Sequence, residues 1–368
     1  MDVVRIGILG TARIIEKALI RAAGNVPEVT VAAVAARDGT RAEAFALRHG
    51  IPLAYGSYDE LVADPSIDAI YNPLPNSLHG PWTLQAITAG KHVLCEKPFT
   101  SNEAEAALVA EAAGTSGLVV MEAMHYRYHP LIRRLREVVR TLGAIQHIQC
   151  WTNFVIEDPR DIRYDYALGG GALMDGGCYA LDCMRLLTDS GGGGGSGGSG
   201  GSAGGGGGGS GGEEPSVTAA LADPLPDGLV DRSMAARLAF PGGATGWFES
   251  AYTRDGEFRA DVHVTCEHGT AWVRNFIMAH AGHLAVRGDG AVPGDAAGEG
   301  AHGDAVGESP GIDGAVTGGS GDSSYTWQLR AFVHAVKAGA SVETSAAHAV
   351  TTMRLIDSVY REAGLPPR

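Results

Sequence analysis

Hydrophobic and polar positions follow two different rhythms along this chain. Over roughly the first 120 residues, short and almost wholly apolar runs alternate with amphipathic stretches. The runs at 5–9, 29–35, 67–71, 92–95 and 118–122 read as strands. Val29-Thr30-Val31-Ala32-Ala33-Val34-Ala35 carries almost no polar side chain, as expected of a strand covered on both faces. Between the runs, helical spacing predicts elements up to residue 23, at 40–48, at 58–62, from about 79 to 89, and at 102–113. Gly50-Ile51-Pro52 closes the second helix and Gly90 the fourth. Strands and helices alternating through short loops predict a doubly wound parallel α/β domain over residues 1–123.

The rhythm then changes. A long amphipathic helix is predicted over 130–142, a strand over 145–154 whose buried face the pattern leaves ambiguous, and a helix over 173–187. Segments 216–221, 231–240, 244–253, 259–266 and 269–275 read as antiparallel strands, and amphipathic helices follow at 326–338 and 346–364. Residues 124–368 therefore read as a second, α+β domain. Two tracts interrupt it. Residues 190–212 are nearly all glycine and serine, and 287–324 are a milder glycine, alanine and aspartate version. Both are expected to be flexible surface insertions, since such segments bury nothing and long loops cost little stability.

Composition narrows the function classes. The 368 residues carry a formal charge of −14, which argues against nucleic-acid or anionic-membrane partners. Cysteines 95, 150, 178, 183 and 266 show no CxxC pair, so neither a disulfide framework nor a zinc site is suggested. No apolar run approaches a membrane span, and the chain enters its first strand without a leader pattern. A reducing, cytoplasmic location is the expectation.

Candidate chemistry clusters at predicted strand ends. A strand, the turn Gly10-Thr11-Ala12-Arg13-Ile14 and a helix make the frame of a dinucleotide site, with Ala12 and Ile15 in place of the second and third glycines. The second strand ends at Ala35-Ala36-Arg37, with Arg41 one helical turn on. An NAD site wants a carboxylate there for the ribose 2′-hydroxyl, whereas two guanidinium groups suit a 2′-phosphate, so NADP is expected over NAD. The third run leads into Asn72-Pro73-Leu74-Pro75-Asn76-Ser77-Leu78-His79, and the next ends on Glu96-Lys97-Pro98. That Glu-Lys pair admits two readings, an ion pair capping a strand or a reaction centre. On the 173–187 helix Asp175 and Tyr179 share a face. A lysine cation near Tyr179 would favour phenolate and lower its pKa, which suits a general acid/base. Lys97 would stabilise negative charge on the same substrate oxygen, and Asp175 would orient substrate or the pair.

These motifs, in this order, resemble the Gfo/Idh/MocA oxidoreductase family. The likeness covers nearly the whole chain outside the two glycine-rich tracts. Tyrosine at 179, the stretch 121–130, Asp161-Ile162-Arg163 and Gln328-Leu329-Arg330-Ala331-Phe332 are similar to its glucose-fructose oxidoreductase, xylose dehydrogenase and dimeric dihydrodiol dehydrogenase branch. The resemblance implies an N-terminal Rossmann domain and a C-terminal open, mainly antiparallel sheet with helices on one face. It also implies cofactor-side roles for Asn72, Pro73, Leu74, Asn76, His79 and Glu96, and dimers or tetramers formed through the outer face of that sheet. Tyr126 and Arg163 are candidates for the substrate-pocket wall. The implied reaction is metal-free hydride transfer between nicotinamide and a secondary alcohol, at C1 of an aldose or on a trans-dihydrodiol. The family also includes a dinucleotide-binding repressor without catalysis; such a sensor need not keep both Lys97 and Tyr179.

Overall fold

A computed structural model of the chain describes residues 3–189, 214–253, 256–288, 314–317 and 321–368. The predicted glycine insertion at 190–212 lies outside the described residues. So does most of 287–324, although Gly314–Thr317 within it forms a strand.

Six strands make the first sheet: β1 (Val4–Leu9), β2 (Val29–Ala35), β3 (Leu53–Tyr55), β4 (Ala69–Asn72), β5 (His92–Cys95) and β6 (Val120–Glu122). Their order is β3-β2-β1-β4-β5-β6 and every pairing is parallel. This is the dinucleotide-binding order, in which the chain reverses direction across the sheet between β1 and β4. Leu9 lies opposite Ala35, and Asn72 opposite Cys95. Parallel register thus brings Gly10, Ala36, Pro73 and Glu96, each the first residue after its strand, to one edge. Asp38 is spent locally: its side chain accepts from the Thr40 N–H and caps the Gly39–His49 helix.

The second sheet has eight strands: β7 (Ile145–Val155), β8 (Ser216–Pro224), β9 (Asp231–Ala239), β10 (Thr245–Thr253), β11 (Arg259–Cys266), β12 (Gly269–Arg274), β13 (His283–Gly288) and β14 (Gly314–Thr317). Their order is β14-β13-β12-β11-β7-β10-β9-β8, antiparallel except that β7 and β10 run parallel. The face of β7 that its sequence left ambiguous is decided by packing. Ile148, Cys150 and Thr152 turn inward, beneath a helical segment over 173–188. That segment sits directly on the sheet because Gly176 has no side chain. A Cβ there would lie 2.5 Å from Ser250 Oγ and 2.8 Å from the Thr152 carbonyl oxygen.

The two sheets are not served only by their own halves of the chain. The Ser324–Ala338 helix sends Tyr325, Leu329, Phe332 and Val333 into the core that holds Val4, Ile6 and Ile8 of β1. The Ala346–Glu362 helix packs on both the Glu103–Ser116 helix and β8. Apolar faces of these late helices bridge the halves and fix the cleft between them.

Candidate active site

The cleft opens where the carboxyl ends of the parallel strands meet the second sheet. Its volume is about 950 Å³, and its lining includes Lys97, Asp175, Tyr179, Arg163 and Tyr252. A second cavity of about 510 Å³ shares Thr11, Ala12 and Arg13 with the first, and adds Arg41, Phe45, Arg48 and His49. The two therefore meet over the glycine turn. Gly10 adopts φ 83° there, its N–H donates to the Ala35 carbonyl at 2.7 Å, and a Cβ would press on Leu74 at 3.1 Å. Beyond the turn the helix over 14–23 begins, and a helix N-terminus suits a phosphate.

An elongated dinucleotide fits these residues. The smaller cavity holds three arginines for a phosphate at the nucleoside end, with Arg41 placed by a 3.0 Å hydrogen bond to Thr11 Oγ1. The larger cleft takes in Pro73, Leu74, Asn76, His79 and Glu96 on the way to Lys97. Not every expected cofactor residue lies there. Arg37 is exposed and sits outside both cavities, near Tyr58. Ala36 is buried, and the Asn72 side chain turns inward, donating to the His79 carbonyl (3.1 Å) and Thr83 Oγ1 (3.3 Å). Asn72 thus shapes the loop from behind. His79 braces it too, its ring nitrogens each 2.7 Å from a carbonyl, of Pro98 and of Leu74. Burial pushes the His79 pKa down to about 4 against the opposing pull of those carbonyls.

At the centre stands Asp175. Lys97 Nζ donates to its Oδ1 at 2.7 Å and to its carbonyl at 2.8 Å, while Arg163 Nε donates to Oδ2 at 2.6 Å. Burial alone would raise the Asp175 pKa, but the two cations outweigh it and hold the carboxyl well below the usual range. Lys97 is the mirror case. Burial opposes its charge, the Asp175 carboxylate more than restores it, and its pKa ends above the ordinary lysine value. An ammonium has three N–H groups. Two are committed to Asp175, leaving one for the cleft.

Tyr179 departs from its sequence-based expectation. Lys97 Nζ lies 4.9 Å from the centre of its ring, yet the hydroxyl pairs with His125 Nε2 at 3.2 Å and makes no bond to the ammonium. Burial drives its pKa well above 10, with Tyr325 and Glu96 adding to the effect. The cation therefore fails to produce a phenolate, and the group stands protonated.

Tyr126 is a second correction. It does not line the cleft: the ring is fully buried and its hydroxyl donates to Asp182 Oδ2 at 2.6 Å. Asp182 also accepts from Arg127 (2.9 Å) and lies 2.7 Å from His348 Nε2, a charged knot beneath the site. Arg163 does line the cleft, and it also bonds Asp161 at 3.0 Å. Asp161 in turn meets Arg13 across the cleft at 3.3 Å.

Sequence reading missed His125. Its Nδ1 lies 2.8 Å from Ser324 Oγ and its ring packs on Tyr325 at 3.9 Å, so the residue that backs Tyr179 is itself held by a part of the chain nearly 200 residues away from it. No local pattern points to that meeting. Lys17 was also missed, since a lone lysine on a surface helix gives no signal by its spacing.

Comparison with known proteins agrees with this geometry. Residues 4–124 match the oxidoreductase family with an NAD-binding Rossmann fold, and residues 132–191 match the GFO/IDH/MocA C-terminal domain. The chain is 36% identical over 362 residues to D-xylose 1-dehydrogenase (NADP(+)) 2 of Haloferax volcanii, covering 97% of this chain and 96% of that one. It is 35% identical over 231 residues to trans-1,2-dihydrobenzene-1,2-diol dehydrogenase of Sus scrofa, 61% of each chain. In fold it resembles KijD10, a 3-ketoreductase from Actinomadura kijaniata solved with NADP and TDP-benzene, at a TM-score of 0.77 and 23% identity over 98% of both chains. An aldose-aldose oxidoreductase from Caulobacter crescentus, complexed with glycerol, is similar to the same degree. A relative matched end to end, together with family matches in both halves of the chain, makes this protein a member of the Gfo/Idh/MocA family of oxidoreductases.

Proposed function

We propose that the protein is an NADP-dependent dehydrogenase or reductase acting on a secondary alcohol of a sugar, at C1 of an aldose, or of a trans-dihydrodiol. The observation that carries this reading is the Lys97–Asp175–Arg163 cluster beside Tyr179 at the carboxyl ends of the parallel strands. A dinucleotide sensor would have no use for a lysine held charged by a buried carboxylate next to a protonated phenol.

When bound, the nicotinamide ring accepts or supplies the hydride. The chain's own residues handle the proton and the charge. Lys97 directs its free N–H at the substrate oxygen and stabilises negative charge there. Tyr179 donates a proton to that oxygen in the reductive direction, a role its high pKa suits at neutral pH. In the oxidative direction it must first lose that proton to solvent, and His125, which burial keeps neutral, pairs with the hydroxyl and orients it without storing the proton. Arg163 and Asp175 are positioning residues: they orient Lys97 and keep it charged.

Arg41, Arg48 and Arg13 around the smaller cavity support NADP over NAD. The two sheets support a division into a cofactor half, 1–123, and a substrate half, 124–368. On the second sheet, Trp151, Trp247 and Trp272 sit half-buried on the strand positions opposite the inward set, and Trp151 and Trp247 meet edge to face at 5.5 Å. That outer face supports pairing into a homodimer or tetramer. All five cysteines are free and buried, in keeping with a cytoplasmic location.

The test is turnover of NADP and NAD at the reduced-nicotinamide absorbance band, over a panel of aldoses, inositols and dihydrodiols. Turnover of one substrate class with NADP sustains the reading. Tight NADP binding without turnover of anything on the panel would favour a sensor.

A further inference from the structure

The mouth of the cleft contains a cation that the reaction above does not use. Lys17, on the helix over 14–23, lines the cleft together with Asn275, Met278, His280, Ala281 and Tyr325. Its ammonium makes one hydrogen bond, to Met278 Sδ at 3.4 Å, and lies 5.8 Å from the Tyr325 ring centre. Among the described residues no carboxylate lies within ion-pair distance of it. Partial burial lowers its pKa, and Arg21 adds to the effect. The side chain is exposed at the cleft mouth, so the charge is open to pairing with an anionic ligand.

A second, independent feature faces the same space. His280, in the short 279–281 turn between β12 and β13, has an Nδ1 that is shut off from solvent and has no hydrogen-bond partner. Unpaired buried nitrogens are rare in folded proteins and call for an explanation. Asn275 stands at the start of the same connection in the left-handed region, φ 55°, held by its Oδ1 accepting from the Met278 N–H. Lys17 and His280, from different elements, thus line one stretch of the cleft, close enough for the Lys17 charge to bear on the His280 ring.

We propose that Lys17 and His280 form a binding subsite for a phosphoryl group at the cleft mouth. Lysine offers a compact charge suited to phosphate oxygens, whereas a planar carboxylate is met better by the arginine fork. Two sources share that chemistry: a phosphate ester on the substrate, remote from the reacting carbon, or the diphosphate of the dinucleotide. The substrate arm rests on the oxidoreductase reading; the subsite itself does not.

Calorimetric titration of the whole protein separates these cases. Inorganic phosphate is titrated into NADP-saturated protein, where the cofactor fills the Arg41 end, and NADP is titrated separately into free protein. Wild type is compared with Lys17→Gln and His280→Ala, both changes at accessible positions. If the saturated protein binds phosphate and Lys17→Gln weakens it at least tenfold while His280→Ala weakens it severalfold, the subsite serves the substrate. If the saturated protein takes no phosphate but Lys17→Gln loosens NADP at least tenfold, it serves the cofactor's diphosphate. Affinities for both probes unchanged within twofold in both variants would overturn the proposal. Because these are binding readouts, their failure is distinct from failure of hydride transfer, which Lys97→Ala tests.

Discussion

Two lysines face one cleft in opposite circumstances. Lys97 is the more enclosed, with a side chain 13% exposed, yet Asp175 keeps its pKa above the ordinary lysine value. Lys17 is the more open, yet without a carboxylate its pKa falls. Burial sets the cost of a charge, but a partner decides whether the cost is met. The first lysine is preset for a reaction that generates negative charge; the second is left to be completed by whatever binds. Tyr179 extends the same lesson, because 4.9 Å of separation and a committed ammonium leave burial in control of its proton.

The largest effect should come from removing the preset centre. Lys97→Ala or Tyr179→Phe is expected to lower kcat by about 10²–10⁴, the range for losing a charge-stabilising or proton-transferring group, while the NADP dissociation constant moves less than threefold. Equal loss of kcat and of NADP binding would recast Lys97 as a cofactor anchor.

Asp175→Asn attacks the partner instead of the lysine. It strands Lys97 and Arg163 beside a neutral amide, and losing one partner of a buried pair costs roughly 3–5 kcal/mol. Because Arg163 is about a third exposed, the lower end is expected for thermal stability. Activity should fall at neutral pH as the Lys97 pKa drops. An Asp175→Asn enzyme with unchanged stability would mean that the ion pairs contribute little.

Glu122 provides a control in which the nearby cations, Arg185 and Arg127, do not offset burial. Burial, then the Asp182 carboxylate, push its pKa from 4.5 up to about 8. The folded state therefore holds this proton more tightly than the unfolded chain. Its contribution is complete below about pH 4.5 and is lost as pH rises towards 8, a loss on the order of 3–5 kcal/mol. Glu122→Gln should flatten the decline in melting temperature between pH 5 and 8, and parallel declines would refute the shift.

The smallest effect belongs to the nucleoside end. Arg41→Gln should raise the NADP dissociation constant about tenfold, the value of roughly one charge-assisted contact, and leave NAD within twofold. Arg37→Gln should do little, since that guanidinium sits outside the cavity. The reverse ranking would restore the pairing that the strand tip alone suggested.

Much of the fold was legible because its strands are short apolar runs closed by Gly or Pro. β2 and β5 match their predicted bounds, and the parallel order follows from the alternation. β3 was missed because three partly exposed residues at a sheet edge leave no pattern. β13 and β14 were missed because they border the glycine-rich tract, which masks their alternation. At the site, Lys97, Asp175 and Arg163 converge as their motifs suggested. Sequence could not reveal that Tyr126 turns away to Asp182, or that His125, held by Ser324, meets Tyr179. The first contact joins elements 56 residues apart, and the second depends on how the Ser324–Ala338 helix packs back onto the first sheet, long-range events without a local signature.

The most direct test of burial's hold on Tyr179 is the pH dependence of hydride transfer in both directions, measured at saturating cofactor. With the phenol protonated, reduction should be flat from about pH 6 to 9, and oxidation should rise about tenfold per pH unit across the same range. A plateau of oxidation near pH 7, absent in Tyr179→Phe, would contradict this and show that the Lys97 cation governs the tyrosine after all.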